Sequence, residues 1–293
     1  MADIDWFPDR EGFLRAIDTL QEAIAEHDIP IAAAATVPGH CPVCDRETVF
    51  EVNTGAMFGD RPNLREGLRC LRCGLTARQR LVLLAMQAEI DKLSPPLRGA
   101  MLEQTTRLYR IAHGRWRWLG GSEYLGEHHR GGKRYWWCTH WWRWRHTRHE
   151  SITAFSHTSA SLALLVHSDV LEHVYDTALA LRECARVLRK GGVMLFTAPF
   201  FAARSTSVLR GRPGNNGQIE HLQPPEYHGD GMARGGIYTF HNFGWDFFEL
   251  LCQSGFSRVE IGLCHAPGEG LCCSDPAGER TWRTPPLLFR AVK

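Results

Sequence analysis

The sequence lacks long apolar runs, a strong excess of charge of one sign and a glycine-rich dinucleotide motif. No stretch of its 293 residues approaches the roughly 18 consecutive apolar residues of a transmembrane helix, so we expect no membrane span. The 34 Lys+Arg and 32 Asp+Glu residues leave a net charge of +2, which excludes a protein that holds nucleic acid through its overall field. No G-x-G-x-x-G follows a predicted strand, which argues against a dinucleotide-dependent oxidoreductase.

What is present includes ten cysteines, four of which form two CxxC pairs, Cys41 with Cys44 and Cys70 with Cys73. Zn²⁺ prefers four thiolates in a tetrahedron, and a CxxC turn presents two sulfur atoms to one ion. The two pairs therefore predict a zinc ribbon in which these four residues are the metal ligands. Since a four-cysteine shell leaves no open coordination position, we expect a structural ion.

Two disulfides, free thiols or a CxxC redox pair are the alternatives for these cysteines. The first residues, MADIDWFPDR, are acidic and lack the basic-then-apolar order of a secretory signal, so we expect a cytoplasmic protein. Disulfides are rare in that reducing compartment. No thioredoxin-like βαβ pattern surrounds either pair, which makes the redox alternative the weaker one.

The chain divides by pattern into an N-terminal region over 1–92 and a second region over 100–293, joined by LSPPLRG. In the first region, the spacing predicts a helix over 8–27, a mobile stretch to residue 40 and a second helix over 76–91 that begins after Thr76. The arginines near the second CxxC pair form either a solvated basic face or a contact for RNA, phosphate or another anionic polymer; they are Arg72, Arg78 and Arg80.

The second region has an alternating strand and helix pattern. The apolar run 162–167 predicts a buried strand, 177–190 a helix with Asp176 at its N-cap, and 193–200 another strand. A βαβ unit of this kind implies a parallel sheet with helices on its faces. A helix over 243–256 and two final strands follow, and these strands should pair antiparallel because no helix separates them.

The segments SDVLEHV and LRECARVLRKGGVMLFTAPF resemble the centre of class I S-adenosylmethionine-dependent methyltransferases. The resemblance extends to GSEYL, EHLQPPEYHGD and FGWDFFELLCQSGF, over most of 100–293. A subgroup of this family carries a cysteine-rich ribbon in front. The resemblance implies an α/β, doubly wound, mostly parallel Rossmann-like sheet with a C-terminal antiparallel strand pair. It also implies S-adenosylmethionine as cofactor and methyl transfer to an acceptor that the sequence does not identify.

The resemblance also implies which residues bind the cofactor. Glu123 matches the acidic residue that bonds the ribose hydroxyls, and a carboxylate can accept two such bonds. Glu103 and Gln104 fall where the first strand turns into the first helix, and Glu150 is expected on the adenine side. The loop beside the methyl donor contributes Asp169, Val170, Leu171 and Glu172.

A general base is needed only if the acceptor must lose a proton. Three histidines in predicted loops at the strand ends are the candidates, His173, His221 and His228. The alternative for each of them is a hydrogen-bonded structural imidazole or a surface imidazole.

The chain departs from the family pattern at three points. LEQTT stands where the family has G-x-G-x-G, Ser151 replaces one residue of an acidic pair, and Ala163 replaces an aspartate. These departures support a second hypothesis, in which the protein is a zinc-ribbon binding protein for nucleic acid or another anionic partner and its methyltransferase-like domain is inactive.

The segment 131–150, GGKRYWWCTHWWRWRHTRHE, is unlike the rest of the chain. From Arg130 to His149 there is no acidic residue, but there are six Arg/Lys, five Trp and three His. The simplest interpretation is a locally altered sequence or a relaxed loop. Interleaved basic and aromatic residues also suit single-stranded nucleic acid, sugar rings or a membrane interface.

Overall fold

The structure is a computed structural model that describes residues 3–58, 61–138, 144–214, 218–229, 235–272 and 287–293. The chain divides into two compact units, Met1–Lys92 with Glu260–Arg290, and Leu93–Val259 with Ala291–Lys293. None of the helices in the described ranges combines the length and the apolar content that crossing a membrane requires.

The elements before residue 93 are short strands and three helices. In chain order they are β1 (Asp5–Phe7), α1 (Arg10–Ala33), β2 (Thr36–Cys41), β3 (Arg46–Val52), β4 (Met57–Phe58), β5 (Arg61–Pro62), α2 (Leu64–Gly67), β6 (Leu68–Cys70) and α3 (Ala77–Ile90). Helix α3 confirms the prediction over 76–91. Thr76 accepts the N–H of Gln79, and the Gln79 side chain accepts the N–H of Thr76, which is a complete capping box.

Helix α1 is longer than the pattern predicts. Asp9 caps its start by accepting the N–H of Gly12 at 2.8 Å, but the helix runs on past residue 27 to Ala33, with Pro30 inside it. The predicted mobile stretch is therefore the end of α1 together with β2. The buried carboxylate of Asp28 lies 3.0 Å from Nε2 of His265, a contact between residues distant in sequence that a local pattern cannot reveal.

Strands β2, β3 and β6 form an antiparallel sheet that carries the two CxxC turns. Cys41 ends β2 and pairs with Arg46 across the first turn, while Cys70 ends β6. Gly74, directly after Cys73, has a φ of +67°, so the tight turn uses the left-handed region that glycine adopts without strain. The hairpin and the strand end bring both cysteine pairs to one end of this sheet.

The elements of residues 93–259 begin with a strand at Gly99. In chain order they are β7 (Gly99–Met101), α4 (Arg107–Arg115), β8 (Leu119–Gly121), β9 (Arg134–Cys138), β10 (Trp144–Arg148), β11 (Leu162–Ser168), α5 (Thr177–Val187), β12 (Leu188–Thr197), β13 (Val208–Leu209), β14 (Gly211–Pro213), β15 (Ile219–His221), β16 (Tyr227–His228), β17 (Ile237–Tyr238), β18 (His241–Asn242) and α6 (Asp246–Gln253).

Four of these strands form the parallel sheet that the βαβ pattern predicts. Their spatial order is β12-β11-β7-β8, and each neighbouring pair is parallel. Every residue from Leu162 to His167 is buried, as expected for a central parallel strand. The fold class predicted for this region is therefore confirmed.

The connection between α5 and β12 differs in detail from the prediction. Asp176 caps α5 as expected. The helix ends at Val187 and β12 starts at Leu188, so Gly191 and Gly192 lie within the strand and not at the end of the helix. Leu162 faces Leu188 and Leu164 faces Val193, so β12 bulges here. Gly191 has a φ of +71° and lies in this bulge. The sequence pattern instead suggests Gly191 as the residue that ends the helix.

The two last strands are β19 (Arg258–Leu263) and β20 (Leu287–Val292). The Ser257 N–H donates to the Val292 carbonyl at 2.8 Å, which joins the start of β19 to the end of β20, the relation expected of antiparallel neighbours. β19 also pairs antiparallel with β1, with Asp5 opposite Leu263.

The tryptophan-rich segment forms an antiparallel pair of strands, β9 and β10, with Trp136 opposite His146. The side chains of Trp136 and Trp144 are 68% and 65% exposed. Trp137 also lies in β9, whereas Trp141 and Trp142 lie outside the described residues.

We expect Gly121→Ala to destabilise the second unit by roughly 1–3 kcal/mol, because overpacking a close-packed site forces its neighbours to move. A Cβ at Gly121 would lie 2.5 Å from the Tyr109 ring and 2.9 Å from the Glu103 carbonyl oxygen. At Gly120, the nearest atom would be the Gly99 carbonyl oxygen at 3.7 Å, an ordinary contact. Urea unfolding of both variants is the measurement, and equal stability of Gly120→Ala and Gly121→Ala would contradict this packing.

Candidate functional site

The parallel sheet brings chemically active side chains to one edge. In a parallel sheet the carboxyl ends of all strands lie at the same edge, where open α/β folds bind their ligands. Glu103 follows β7, Glu123 follows β8, Asp169 follows β11 and Thr197 ends β12. The residues that sequence reasoning selects from four separate segments are thus neighbours along this edge.

Glu123 holds the loop that replaces a glycine-rich turn. Its Oε1 accepts the backbone N–H groups of Gln104 and Thr105 and the Thr105 hydroxyl, each at 2.8 Å. Thr106 caps α4 by accepting the N–H of Tyr109 at 3.1 Å. A carboxylate beside the first turn of a helix is also favoured by the helix dipole. This role of Glu123 in fixing the first loop is not apparent from sequence.

Glu103 and Gln104 join this loop to the neighbouring strands. The buried Glu103 carboxylate accepts from the Thr106 hydroxyl and, at 3.3 Å, from the Ser168 hydroxyl at the end of β11. Gln104 accepts the Arg148 N–H at 2.9 Å, and its amide nitrogen lies 3.3 Å from the His146 carbonyl of β10. The loop is therefore fixed on both sides.

Glu150 lies close to this loop but is satisfied by protein groups. It accepts from the Arg148 guanidinium at 2.6 Å and from the N–H and hydroxyl of Ser156 at 2.9 and 2.5 Å. Burial opposes its charge, but these hydrogen bonds outweigh that effect and lower the pKa of Glu150. The structure thus shows Glu150 as an ionised group that fixes the segment after β10.

A cavity of about 280 Å³ opens next to Glu123. Its lining comes from the segment after β8 and from the residues around β10, namely Tyr124, Glu127, His129, Gly131, His149, Ser151, Thr153 and Ala154. The rings of Tyr124 and His149 have their centroids 5.5 Å apart. His149 Nδ1 accepts the Leu125 N–H at 3.0 Å, and burial lowers the pKa of His149, so this imidazole is neutral.

The loop after β11 holds a polar cluster that we name the Glu172 cluster, consisting of Glu172, His173 and His228. Glu172 is fully buried, and neither of its carboxylate oxygens has a hydrogen-bond partner in the part of the chain that the structure describes. Its Oε1 lies 3.7 Å from Nε2 of His173 and 3.7 Å from Nδ1 of His228. Two of the three predicted histidines therefore converge on one buried carboxylate.

The remaining ring nitrogens of the cluster have fixed partners. His173 Nδ1 lies 2.8 Å from the Tyr238 carbonyl oxygen, and His228 Nε2 lies 3.1 Å from the Glu226 carboxylate. Burial raises the pKa of Glu172. Burial acts against charge on His228, but the Glu172 and Glu226 carboxylates outweigh it and raise the pKa of His228 to about 9.

The other predicted residues of this loop have separate environments. The Asp169 carboxylate accepts the Thr197 hydroxyl at 2.9 Å, and the Asp169 backbone has a φ of 50°. The Leu171 side chain is buried in the core and Val170 is half-buried. His221 is exposed, with Nδ1 3.2 Å from the Tyr238 hydroxyl, so it does not join the Glu172 cluster.

Sequence reasoning misses Glu226 and Tyr238, which orient the two histidines of the cluster. Glu226 stands two residues before His228, directly ahead of β16, so both side chains point to the same face. That spacing is a signal the sequence does contain. Tyr238 has no local signal, because it reaches His173 through a backbone carbonyl from a distant strand.

The four cysteines of the first unit meet in space. Their Sγ atoms all lie within 4.8 Å of one another, with Cys41 and Cys73 at 3.8 Å and Cys44 and Cys70 at 4.0 Å. A tetrahedral ion with Zn–S bonds of about 2.3 Å requires S···S separations of about 3.8 Å. A disulfide requires about 2.05 Å. The donor set and its spacing therefore fit a tetrahedral zinc ion and not a disulfide.

The electrostatics of the sulfur cluster disfavour four thiolates without a cation. A hydrogen bond from the Cys73 thiol lowers the pKa of Cys41 to about 5, and the same bond raises the pKa of Cys73. Burial raises the pKa of Cys44 to about 11. Because one thiolate opposes ionisation of its neighbours, four thiolates can coexist here only around a positive ion.

The expectation of a solvated basic face is wrong for two of the three arginines beside the cysteines, Arg78 and Arg80. Arg80 is fully buried and donates to the carbonyls of Leu75 at 2.6 Å and Leu68 at 3.1 Å. Arg78 donates to both carboxylate oxygens of Glu66. Arg72 lies at the surface, where its Nε donates to the Glu47 carbonyl at 3.2 Å.

The second unit is thus a Rossmann-like α/β domain whose ligand edge carries buried and half-buried carboxylates. Residues 134–196 match a protein-family model described as a methyltransferase domain. A probable S-adenosylmethionine-dependent methyltransferase of Mycolicibacterium smegmatis is 40% identical over 145 residues, which make up 46% of this chain and 54% of that protein. In this region the chain is therefore similar to S-adenosylmethionine-dependent methyltransferases.

Other relatives are more distant. A probable S-adenosylmethionine-dependent methyltransferase of Mycobacterium tuberculosis is 29% identical over 109 residues, or 37% of this chain and 32% of that protein. A solved methyltransferase structure from Mesorhizobium loti aligns with a TM-score of 0.39 and 17% identity, covering 71% of this chain and 96% of that chain. The chain spans only 32% and 54% of the two curated mycobacterial relatives.

We expect Glu150→Gln to cost about 1.5–3 kcal/mol of stability at neutral pH, the usual contribution of hydrogen bonds to a charged group. Because the folded pKa of Glu150 lies below its usual 4.5, this contribution is complete above about pH 5 and is lost as the pH falls through the folded value. Urea unfolding from pH 7 to pH 3 measures the difference between the variant and the wild type.

Glu249→Gln, on the exposed face of α6, is the matched control, and we expect it to show little difference at any pH. A Glu150→Gln difference that stays constant down to pH 3 would contradict an ionised Glu150.

Proposed function

We propose that the second unit binds S-adenosylmethionine and transfers its methyl group to an acceptor. The observation that carries this proposal is the row of Glu103, Glu123 and Asp169 along the carboxyl edge of the parallel sheet, with a cavity next to Glu123. The match of residues 134–196 to a methyltransferase-domain family model supports the same assignment. The cofactor supplies an activated methyl group on a sulfonium, and the protein must position the reactants and exclude water.

The cavity suits the adenine end of the cofactor. It is flanked by the rings of Tyr124 and His149 and has the hydroxyl of Ser151 in its lining, so it offers both stacking faces and a hydrogen-bonding group. We assign the ribose contact to the Glu123 carboxylate, whose Oε1 also accepts three bonds from the first loop. Glu150 would then support the cavity wall without touching the cofactor.

We place the methyl acceptor beside the Glu172 cluster. The cluster follows β11 at the same edge as Asp169, and its two histidines and buried carboxylate are the polar groups suited to handling an acceptor proton. His221 contacts the Tyr238 hydroxyl and does not join the cluster, so we assign it no role in proton transfer. The acceptor itself remains to be identified by experiment.

In the first unit, we propose that Cys41, Cys44, Cys70 and Cys73 hold a structural zinc ion. The support is the fit of their sulfur separations to a tetrahedral ion and the repulsion among four thiolates that a cation would offset. Arg80 fixes the carbonyl of Leu75, which in turn accepts the Cys70 N–H at 3.1 Å, so the second turn is rigid before the ion binds.

We expect the purified protein to retain one zinc ion per chain after dialysis, and Cys44→Ser to lose it and to unfold at a lower temperature, since structural zinc contributes directly to folding. Elemental analysis and thermal denaturation are the measurements. Cys252→Ser removes an exposed cysteine on α6 and should change neither result. Cys44→Ser protein that retains its zinc and its melting temperature would rule out this ligand set.

Isothermal titration calorimetry with S-adenosylmethionine tests the cofactor proposal. We expect one binding site, and a roughly tenfold or greater loss of affinity in Tyr124→Ala, because base–aromatic stacking is worth about 1–3 kcal/mol. Tyr124 is 55% exposed, so its removal should leave the fold intact. Glu249→Gln is again the control. The absence of binding at millimolar cofactor would overturn the proposal and favour an inactive domain.

A further inference from the structure

Three potential metal-ligand groups converge at the Glu172 cluster. One ligand atom from each of Glu172, His173 and His228 lies within 4.8 Å of the other two. The closest approaches, from Glu172 Oε1 to one nitrogen of each histidine, are both 3.7 Å, which is too long for a direct hydrogen bond. Such a spacing leaves room for an atom between the groups.

The orientation of both imidazoles determines which nitrogens face the centre. His173 Nδ1 faces the Tyr238 carbonyl, an acceptor only, so this nitrogen carries the proton and Nε2 presents its lone pair to Glu172. His228 Nε2 faces the Glu226 carboxylate, so Nδ1 is the nitrogen that faces Glu172 and would bind an ion. Metal-bound histidines are held in this way, with the second ring N–H donated to a backbone carbonyl or a carboxylate.

Glu172 supplies an independent observation. It is fully buried, directs its carboxylate at the two imidazoles and has no hydrogen-bond partner for either oxygen within the described ranges. A buried carboxylate without a partner is costly, whereas a bound cation would satisfy it. The neighbouring charged groups are the carboxylates of Asp169 and Glu226 and the guanidinium of Arg210, which lies 3.3 Å from Glu226.

We propose that Glu172, His173 and His228 bind a divalent cation of the zinc and cobalt class. Two imidazoles and one carboxylate form a ligand set of catalytic zinc sites, which keep a coordination position open. Ligand bonds of about 2.0–2.2 Å give ligand separations near 3.4 Å in a tetrahedron, so the observed 3.7 Å needs only a small adjustment.

The open position gives the site a role in the proposed reaction, and this part of the inference rests on the proposed function. A hydroxyl oxygen of the methyl acceptor that occupied this position would lose its proton to solvent more readily, because a bound divalent ion lowers the pKa of coordinated oxygen ligands. That oxygen would then form a bond to the methyl carbon as the bond from the methyl carbon to the sulfonium sulfur breaks, and S-adenosylhomocysteine would be the leaving group. The inference therefore favours an oxygen nucleophile as the acceptor group, and it assigns Glu226 as a positioning residue that orients His228.

Cobalt(II) is the probe, titrated into full-length protein that retains zinc at its cysteines, with no S-adenosylmethionine present. We expect the wild type to take up one Co²⁺ per chain by calorimetry and to develop visible d–d absorption without a thiolate-to-cobalt charge-transfer band. Glu172→Gln, which keeps the shape but not the charge, should take up none. His146→Gln, an exposed histidine on β10, should bind Co²⁺ like the wild type.

Glu226→Gln provides a second variant that leaves the ligands in place. Loss of an outer-shell partner usually weakens metal binding by roughly 10–100-fold, and we expect that range here. The melting temperature of each variant is measured alongside. Equal Co²⁺ uptake by the wild type and both Glu variants would overturn the proposal, as would a thiolate charge-transfer band, which would place the ion at the cysteines. A proton shared within the cluster, without metal uptake, is a further outcome that overturns it.

The metal site and the methyltransferase assignment fail in different ways. If Co²⁺ does not bind but S-adenosylmethionine does, the metal proposal falls and the proposed function stands. If Co²⁺ binds and S-adenosylmethionine does not, the metal site stands and the link to a methyl acceptor falls.

Discussion

The parallel pairing of β12, β11, β7 and β8 is the constraint on which the candidate site depends. Because all four strands run the same way, the segments that follow them meet at a single edge. Glu103, Glu123 and Asp169 come from three parts of the chain and become neighbours only through this pairing. The buried apolar residues of β11 hold the edge in place, since each strand of a parallel sheet is covered on both faces.

Ionised and polar groups at this edge are bound mainly to the protein itself. Glu123 fixes the first loop, Glu103 reaches the end of β11, and Glu150 holds the segment after β10. The Glu172 cluster differs from these groups, because its central carboxylate is buried without a hydrogen-bond partner in the described ranges. A buried carboxylate in this state requires an explanation beyond packing, such as a bound ion.

Elements with strong local signals could be predicted well. Helix α3 with its Thr76 cap, α5 with its Asp176 cap and the buried strand β11 all follow the expected pattern. Predictions were wrong where a distant contact decides the outcome: α1 continues past residue 27, and Arg80 is buried against backbone carbonyls instead of facing water. The composition of the tryptophan-rich segment gave no hint that Gly131 and His149 would line a cavity next to Glu123.

The sequence by itself determined the βαβ core, the grouping of four cysteines and the resemblance to a methyltransferase, because each depends on short-range patterns that a single segment carries. Only the tertiary structure decided how the candidate residues act. It places His173 and His228 beside Glu172 and His221 away from that carboxylate. It also shows that Glu123 binds the backbone of the first loop. The physical reason is that hydrogen-bond partners such as Tyr238 and Thr105 are chosen by distances in space, which residues far apart in sequence share only after folding.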